Sequence, residues 1–397
     1  MAEPHRSTPQ LEGDGADATR TRTLRVAAVG ISTTQTCGVR DHATLLADAL
    51  GDEGVSCSLH WLQRSEEPLR ASRRRIRGWT QALARELRGD APDAIVLHYS
   101  VFSYSHRGLP VFVRPTLSAL RATGIPLVSV LHEYAYPWRR RGARGTAWAV
   151  TQRAALLGLM RASAAAMVST DWRAEWLASR AWLPSRRLAV APIFSNLPPP
   201  AATTRAHGST PLVGLFGYTY EPATVALVLD AMQRLEQGGV EAQLLLIGAP
   251  GGDSPVAREW LDGARARGLA REPGFSGTLP AQEVSNRLAA CDVLLSAEPS
   301  GPTSRKTTLA ASLAAGRPVL ALDGPRTWGE LIASDAALVV QPRADALAAG
   351  LAELLADEEL REGLGARGRA FAARTMTSAH SAQLLAGLLE DLLSAGS

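Results

Sequence analysis

The stretch EPSGPTSRKTTLAASLAAGRPV, residues 298–319, indicates the fold class of this chain. It follows an apolar run at 292–297 and leads into another at 318–322, with an apolar helical pattern that ends at Gly316 between them. Two apolar runs joined through a loop and a helix are typical of a βαβ unit, in which the two strands are parallel. The stretch therefore predicts an α/β protein whose loop follows the end of a buried strand.

The same alternation continues in both directions along the chain. Amphipathic helical patterns, such as the one at 43–50, separate short apolar runs that lack polar alternation, which is typical of strands buried on both faces of a parallel sheet. This order predicts doubly wound sheets. The predicted strands are 24–30, 55–62, 94–100, 126–132, 165–170, 188–193, 212–217, 242–248, 292–297, 318–322 and 337–341.

A change of composition divides the chain into two halves. Leu197 is followed by three prolines and then by small, polar residues, as in a linker. We expect a Rossmann-like domain at 23–197, a linker at 198–210, a second such domain at 211–376 and a helix at 377–397. Residues 1–22 are polar and lack the apolar core of a secretory signal, so we expect a disordered tail.

Composition and charge argue against several classes of function. The 397 residues carry a net charge of +4, and no apolar run reaches the roughly 18 residues of a membrane span. Cys37, Cys57 and Cys291 are far apart, which fits a cytoplasmic protein and predicts no disulfide framework and no metal site. Basic residues do not alternate with aromatic ones, so we expect no nucleic-acid partner.

Arginine clusters leave a membrane contact open. Arg73, Arg74 and Arg75 form one cluster, and another spans 139–144. Such clusters can bind phosphates or the inner, anionic face of a membrane, although a solvated surface is their commoner role.

The loop Ser304-Arg305-Lys306-Thr307 has the chemistry of an anion site. It opens the helix within the first stretch and contains Lys306, the single lysine among 42 basic residues. Helix N-terminal amides, hydroxyls and two cations together can bind phosphate. The alternative is a helix cap with two exposed cations.

Two predicted strands end in polar side chains. His98 closes the third strand, and His132 and Glu133 close the fourth. The carboxyl ends of parallel strands are where α/β folds bind ligands, and an unperturbed histidine titrates near neutrality. A lone histidine there is more often structural, but two beside one cleft favour a functional site.

Two glycine loops are weaker signals. Gly38 lies between the first strand and its helix, and Gly217 with Tyr218 follows the first strand of the second half. Glycine lets backbone amides approach an anion, but both positions also suit a plain turn, and neither loop has the GxGxxG spacing.

The order of these features resembles glycosyltransferase family 4 and its two-Rossmann-domain (GT-B) relatives, the glycosyl transferases of group 1. The resemblance covers about residues 24–393 and rests on order and spacing more than on any single motif. It is carried by CGVRDH at 37–42, VLHE at 130–133, VAPIFSN at 190–196, LIG at 246–248, FSG at 275–277 and AGRPV at 315–319.

The resemblance implies roles for both domains. The N-terminal domain would bind a sugar, lipid-linked or small-molecule acceptor, and the C-terminal domain a nucleotide-sugar donor, with the last helix crossing back to the N-terminal domain. Transfer would retain the anomeric configuration and need neither a metal nor a cofactor. His132 would contact the donor sugar and help to stabilise the transition state, and the pathway would be polysaccharide or glycoconjugate biosynthesis.

The sequence also departs from the family. The Arg and Lys that often follow the first donor-domain strand fall near Tyr218 and Ala223, and the paired glutamates fall on Thr303 and Ala311. We interpret Arg305 and Lys306, with Ser304 and Thr307, as substitute donor contacts.

Two other functions stay open. A nucleotide-sugar epimerase would need an acid/base carboxylate pair, for which Glu133 and Glu298 are the candidates in the cleft. The other alternative is a degenerate protein that binds a nucleotide-sugar or a partner without turnover. The missing glutamates favour this alternative. His132 and the loop Ser304-Arg305-Lys306-Thr307, which we call the cation loop, argue against it.

Overall fold

The computed structural model describes residues 23–34, 37–65, 67–135, 137–138, 142–201, 210–217, 221–248 and 251–394. The predicted tail, most of the predicted linker and Tyr218 lie outside these residues, as do Arg139, Arg140 and Arg141. The described residues form two six-stranded parallel sheets with helices packed on them, which confirms the predicted α/β class with two Rossmann-like domains.

The N-terminal domain is built on a sheet of order β2-β1-β3-β4-β5-β6. Neighbouring residues of β1 face opposite sides, so that Val26 packs with Leu46 while Val29 packs with Leu83. Both faces are covered, which is why the strands read as continuous apolar runs. The elements are β1 (Leu24–Ser32), α1 (Gly38–Asp52), β2 (Val55–Gln63), α2 (Leu69–Asp90), β3 (Ala94–Ser100), α3 (Val113–Arg121), β4 (Leu127–Glu133), α4 (Gly142–Ala162), β5 (Ala165–Val168), α5 (Asp171–Ala178) and β6 (Arg187–Val190).

The C-terminal domain has a sheet of order β12-β11-β10-β7-β8-β9. Its edge strand β9 has two residues and was not predicted, because so short a pairing leaves no apolar run. The elements are β7 (Leu212–Phe216), α6 (Pro222–Gln237), β8 (Gln243–Ile247), α7 (Pro255–Ala266), β9 (Gly274–Phe275), α8 (Ala281–Ala289), β10 (Val293–Ser296), α9 (Thr307–Ala314), β11 (Val319–Leu322), α10 (Gly329–Ala333), β12 (Leu338–Val340), α11 (Ala344–Ala356) and α12 (Glu358–Thr375).

The last helix, α13 (Ser378–Ser394), packs on the N-terminal domain. Leu385 and Leu389 are fully buried in one cluster with Leu46 and Leu50 of α1. Burying a leucine contributes about 1.5–3 kcal/mol relative to leaving it exposed, so this helix fastens the end of the chain to the first domain.

A close backbone approach joins α12 to the end of α9. A Cβ atom on Gly365 would lie 2.5 Å from the carbonyl oxygen of Gly316, whereas one on Gly363 would meet only the tip of Arg367 at 3.3 Å. The helix can therefore approach this closely only because residue 365 has no side chain. No helix in the described ranges is both long and apolar enough to cross a bilayer.

Candidate functional site

A cavity of about 420 Å³ lies where the carboxyl ends of the N-terminal strands face the C-terminal domain. Gly38, His132 and Glu133 line it from the N-terminal domain, and Arg305 and Thr307 line it from the loop that opens α9. We call this space the cleft cavity. Glu133 and Arg305, 172 positions apart in the chain, are thus brought together at the edge where parallel sheets bind ligands.

Three histidines form one cluster at the wall of this cavity. His98 Nδ1 lies 3.2 Å from His132 Nε2, and the ring of His42 lies edge-on to that of His132 at 5.1 Å between centroids. His42 also stacks on Phe194 at 4.5 Å. We call His42, His98 and His132 the histidine cluster.

Burial keeps the histidine cluster neutral. Desolvation lowers the pKa of His42 to about 4, and desolvation with the neighbouring His42 lowers that of His98 to about 3. The pKa of His132 is lowered well below its usual value by burial first, and then by its charged and imidazole neighbours. The sequence suggested a histidine that titrates near neutrality, but at pH 7 these rings act as neutral hydrogen-bonding groups.

The cluster is also the place where described residues could hold a metal ion. One nitrogen from each ring lies within 4.8 Å of the others. Arg173 lies close enough to lower the pKa of His132, and the same positive charge opposes a divalent cation.

Glu133 holds two arginines, one from each domain. Arg173 of α5 donates from Nη2 to Glu133 Oε2 at 3.0 Å and from Nη1 to the carbonyl of His132 at 2.6 Å. Arg305 pairs with the other oxygen of the same carboxylate. The Arg173 side chain is 5% exposed, so Glu133 neutralises a buried cation as well as bridging the cleft.

The cation loop rests on the N-terminal domain. Ser304 Oγ donates to the carbonyl of Ser169 at 2.6 Å, and the amide of Ile193 donates to the carbonyl of Ser304 at 2.7 Å. Lys306 precedes α9 and pairs with Glu298 at 2.8 Å. Both cations predicted to bind phosphate are therefore held by carboxylates in this structure.

The predicted site residues fall into three groups. His132, Glu133, Gly38, Arg305 and Thr307 line the cleft cavity, and His98 lies behind His132. The remaining predicted residues are not part of its wall. Ser304, Lys306 and Glu298 lie in the connection between β10 and α9. Gly217 follows the end of β7 and has a φ of 125°.

Two residues of the site were not predicted as such. His42 lies one turn into α1, and its periodicity there marks only a buried helix face. Arg173 lies between Asp171 and Glu175 on a short helix and reads as an exposed arginine. No local signal identifies either, because their partners are far away in the chain.

Comparison with known proteins supports the fold and one domain. Residues 213–371, from β7 into α12, match the family described as glycosyl transferases group 1. No curated protein matches the chain in sequence.

Solved structures match over almost the whole chain. A sucrose-phosphate synthase from Thermosynechococcus elongatus is 15% identical with a TM-score of 0.66, covering 94% of this chain and 100% of that one. HepE from Anabaena, in complex with UDP-glucose, is 14% identical with a TM-score of 0.63, covering 92% and 99%. A protein assigned as a UDP-N-acetylglucosamine 2-epimerase from Listeria monocytogenes is 13% identical with a TM-score of 0.58, covering 92% and 96%.

These relatives differ in the reactions that their names describe, so the shared fold does not determine the reaction. The chain has the fold of the two-domain GT-B glycosyltransferases, and its C-terminal domain matches their group 1 family.

Proposed function

We propose that this protein is a retaining, metal-independent glycosyltransferase of the family 4 type, which transfers a hexose from a nucleotide-sugar to an acceptor. The observation that carries the proposal is the cleft cavity, in which His132 from one domain faces Arg305 and the start of α9 from the other. A group 1 match over the C-terminal domain supports a nucleotide-sugar as the donor.

The donor diphosphate would lie at the N-terminus of α9. Backbone amides of the first turn, Thr307 and the cations Arg305 and Lys306 supply the positive end of such a site. Three cations, counting Arg173, face the two carboxylates of Glu133 and Glu298. The site therefore carries a net charge of about +1, which complements an anionic donor.

The reaction keeps atoms and charge in balance without a metal. The acceptor hydroxyl attacks the anomeric carbon on the face from which the diphosphate leaves, so the configuration is retained. The bond between the anomeric carbon and the phosphate oxygen breaks, and that oxygen takes the acceptor proton. Neutral His132 hydrogen-bonds the donor sugar, while the amides and cations stabilise charge on the leaving phosphate.

A donor screen tests the proposal directly. Thermal shifts are measured with UDP-, GDP-, dTDP- and ADP-sugars, since a ligand at about 100 times its dissociation constant adds about 2.7 kcal/mol of stability. We expect a shift with one nucleotide class that persists in excess EDTA. Absence of a shift with all four classes contradicts the donor site.

A matched pair of double variants locates the donor. Arg305→Ala with Lys306→Ala should raise the donor dissociation constant at least about tenfold, because each loses a charge-assisted hydrogen bond. The control is Arg265→Ala with Arg271→Ala, which removes two cations that pair with surface carboxylates of the same domain. Equal affinities in both double variants would refute the assigned role of the loop.

An epimerase is disfavoured by the carboxylates themselves. Glu133 stays paired with Arg173 even if a donor displaces it from Arg305, so the two glutamates do not form a free acid/base pair. Incubating the identified donor alone and following the sugar by NMR separates the reactions, since only an epimerase inverts a sugar carbon while the nucleotide stays attached. Slow hydrolysis of the donor would exclude the degenerate, non-catalytic alternative.

The setting proposed for this reaction is the cytoplasmic side of a membrane, in polysaccharide or glycoconjugate biosynthesis. The first described arginine cluster lies on α2, where Arg73, Arg74 and Arg75 are exposed. Such a surface suits peripheral contact with anionic lipids.

A further inference from the structure

A second cavity, of about 770 Å³, adjoins the cleft cavity in the N-terminal domain. Both are lined by Thr33, Thr34 and Phe102, so the two spaces share a wall. The polar lining of the second cavity includes Arg64 and Arg107 together with residues 105 and 106. We call this space the basic cavity. Glu67 also lines it, but that carboxylate is held by Arg75 at 2.8 Å and by Ser65 at 2.9 Å.

An apolar groove of about 870 Å³ lies between α3 and α4. Leu109, Val113, Leu117 and Gly158 are part of its lining, and Arg114 and Arg121 line it as well. We call it the α3–α4 groove. It is large enough for a branched hydrocarbon chain, and its arginines place positive charge beside the apolar surface.

A backbone-paired turn at 106–109 separates the basic cavity from the α3–α4 groove. His106 and Leu109 pair through their backbones, and Arg107 and Gly108 both have positive φ, at 50° and 85°. The turn packs against α4, where a Cβ on Gly108 would lie 2.3 Å from the ring of Trp148. Residues 107 and 108 line the basic cavity while residue 109 lines the groove, so the two spaces meet at this turn.

The stretch of chain that contains the turn is almost free of acidic residues. From Ala94 to Thr170 the chain contains nine arginines and one acidic residue, Glu133. That carboxylate is already paired with two arginines in the cleft. Phe102 and Leu109 are exposed at 54% and 40%, so apolar side chains flank the exposed Arg107 at this surface.

We propose that the basic cavity and the α3–α4 groove together bind a lipid-linked phosphate as the acceptor. The phosphate lies near Arg64 and Arg107, and the hydrocarbon chain passes over the 106–109 turn into the groove. An acceptor hydroxyl on a group that this phosphate carries then reaches the cleft cavity past the wall that the two cavities share. This assignment names the acceptor class and rests on the proposed function only for the direction of transfer, because the binding itself requires no donor.

The test measures binding without any nucleotide. Co-sedimentation is measured with phosphatidylcholine vesicles that contain geranylgeranyl phosphate, with equal amounts of geranylgeraniol or phosphatidylglycerol as controls. We expect at least about tenfold tighter binding to the lipid phosphate than to either control, because only that lipid has both a compact phosphate and a branched chain. Equal binding to phosphatidylglycerol vesicles would mean a general anionic membrane surface and would overturn the proposal.

Two variants separate the parts of the site. Gly158→Leu fills the groove, and its Cβ meets only Leu117 at 3.9 Å, so the helix keeps its place. It should weaken binding of the lipid phosphate about tenfold, whereas Gly387→Leu, on an exposed face of α13 with open space around it, should not. Arg107→Ala should weaken binding to the lipid phosphate and leave binding to geranylgeraniol unchanged.

Unchanged binding in both Gly158→Leu and Arg107→Ala refutes the site. Circular dichroism and the melting temperature confirm that each variant is folded. Because no donor takes part, a failure here leaves the thermal shifts with nucleotide-sugars unaffected, and a failure of those shifts leaves this binding result intact.

Discussion

Glu133→Gln should lower stability and raise donor affinity at the same time. The carboxylate neutralises Arg173, whose side chain is 5% exposed, and it also pairs with Arg305, which we propose binds the donor phosphate. Glutamine keeps the shape and one acceptor oxygen but removes the charge. The two arginines therefore respond differently, since one stays buried and the other becomes free to bind the donor.

The magnitudes follow from burial. Arg173 keeps its bond to the carbonyl of His132 but exchanges a charged acceptor for a neutral one, which costs about 1–2 kcal/mol. For a domain of this size the melting temperature should fall by about 2–8 °C. Arg305 and Glu133 are each 34% exposed, so their pair is worth about 0.2–1 kcal/mol, and its loss should raise donor affinity about 1.5- to 5-fold.

Scanning calorimetry and titration with the donor identified in the thermal screen measure both effects. Glu298→Gln is the matched control, because it frees Lys306 but leaves no buried cation unpaired. It should raise donor affinity to a similar extent with little change in melting temperature. If Glu133→Gln instead weakens donor binding and leaves the melting temperature unchanged, then Glu133 contacts the ligand and the reasoning about its two arginines is wrong.

Three further outcomes are expected. The three histidines of the cluster have lower pKa values in the folded protein than in the unfolded chain, so the unfolded chain binds more protons at acidic pH. The free energy of unfolding should therefore fall as the pH falls from about 6.5 to about 4, by up to about 1.4 kcal/mol per pH unit for each ring. His98→Asn should make the free energy of unfolding less dependent on pH in urea titrations over this window, and an unchanged slope contradicts the assigned burial. Gly365→Ala should destabilise the protein by about 1–3 kcal/mol through its contact with Gly316, whereas Gly363→Ala in the same helix should be neutral or stabilise it by up to about 1 kcal/mol, as denaturant unfolding will show. Sugar transfer, once a donor is identified, should be unaffected by excess EDTA, and a loss of turnover that Mg²⁺ restores would contradict the metal-independent mechanism.

Periodicity predicts the sheets well because both of their faces are buried. Every predicted apolar run contains an observed strand. The one observed strand that lies outside these runs is β9, a two-residue pairing at the edge of its sheet. The predicted boundaries run too far at 165–170 and 188–193, where the observed strands stop at Val168 and Val190. Beyond β6, Ala191 still donates its amide to the carbonyl of Val168 at 2.8 Å, and both Ala191 and Phe194 pack in the core, so the apolar pattern continues past the strand.

The site was less predictable because its contacts are distant in sequence. His98 and His132 could be placed at one sheet edge, since they end adjacent strands. Helix periodicity marks His42 as buried, but only the packing of α1 on the sheet brings it against the other two rings. Arg305 and Glu133 are 172 positions apart, so no local pattern indicates that Glu133 neutralises Arg305 of the cation loop.

The ribose contact implied by the family resemblance cannot come from its usual position. Ala311 is 3% exposed and lies on the buried face of α9 with Leu309 and Leu313. A charged side chain at position 311 would therefore be buried without a partner. The cations of the loop, by contrast, remain one-third exposed and are paired with carboxylates that a diphosphate can replace. We therefore propose that donor recognition depends on the exchange of carboxylate for phosphate at Arg305 and Lys306, in which case donor affinity falls with increasing salt.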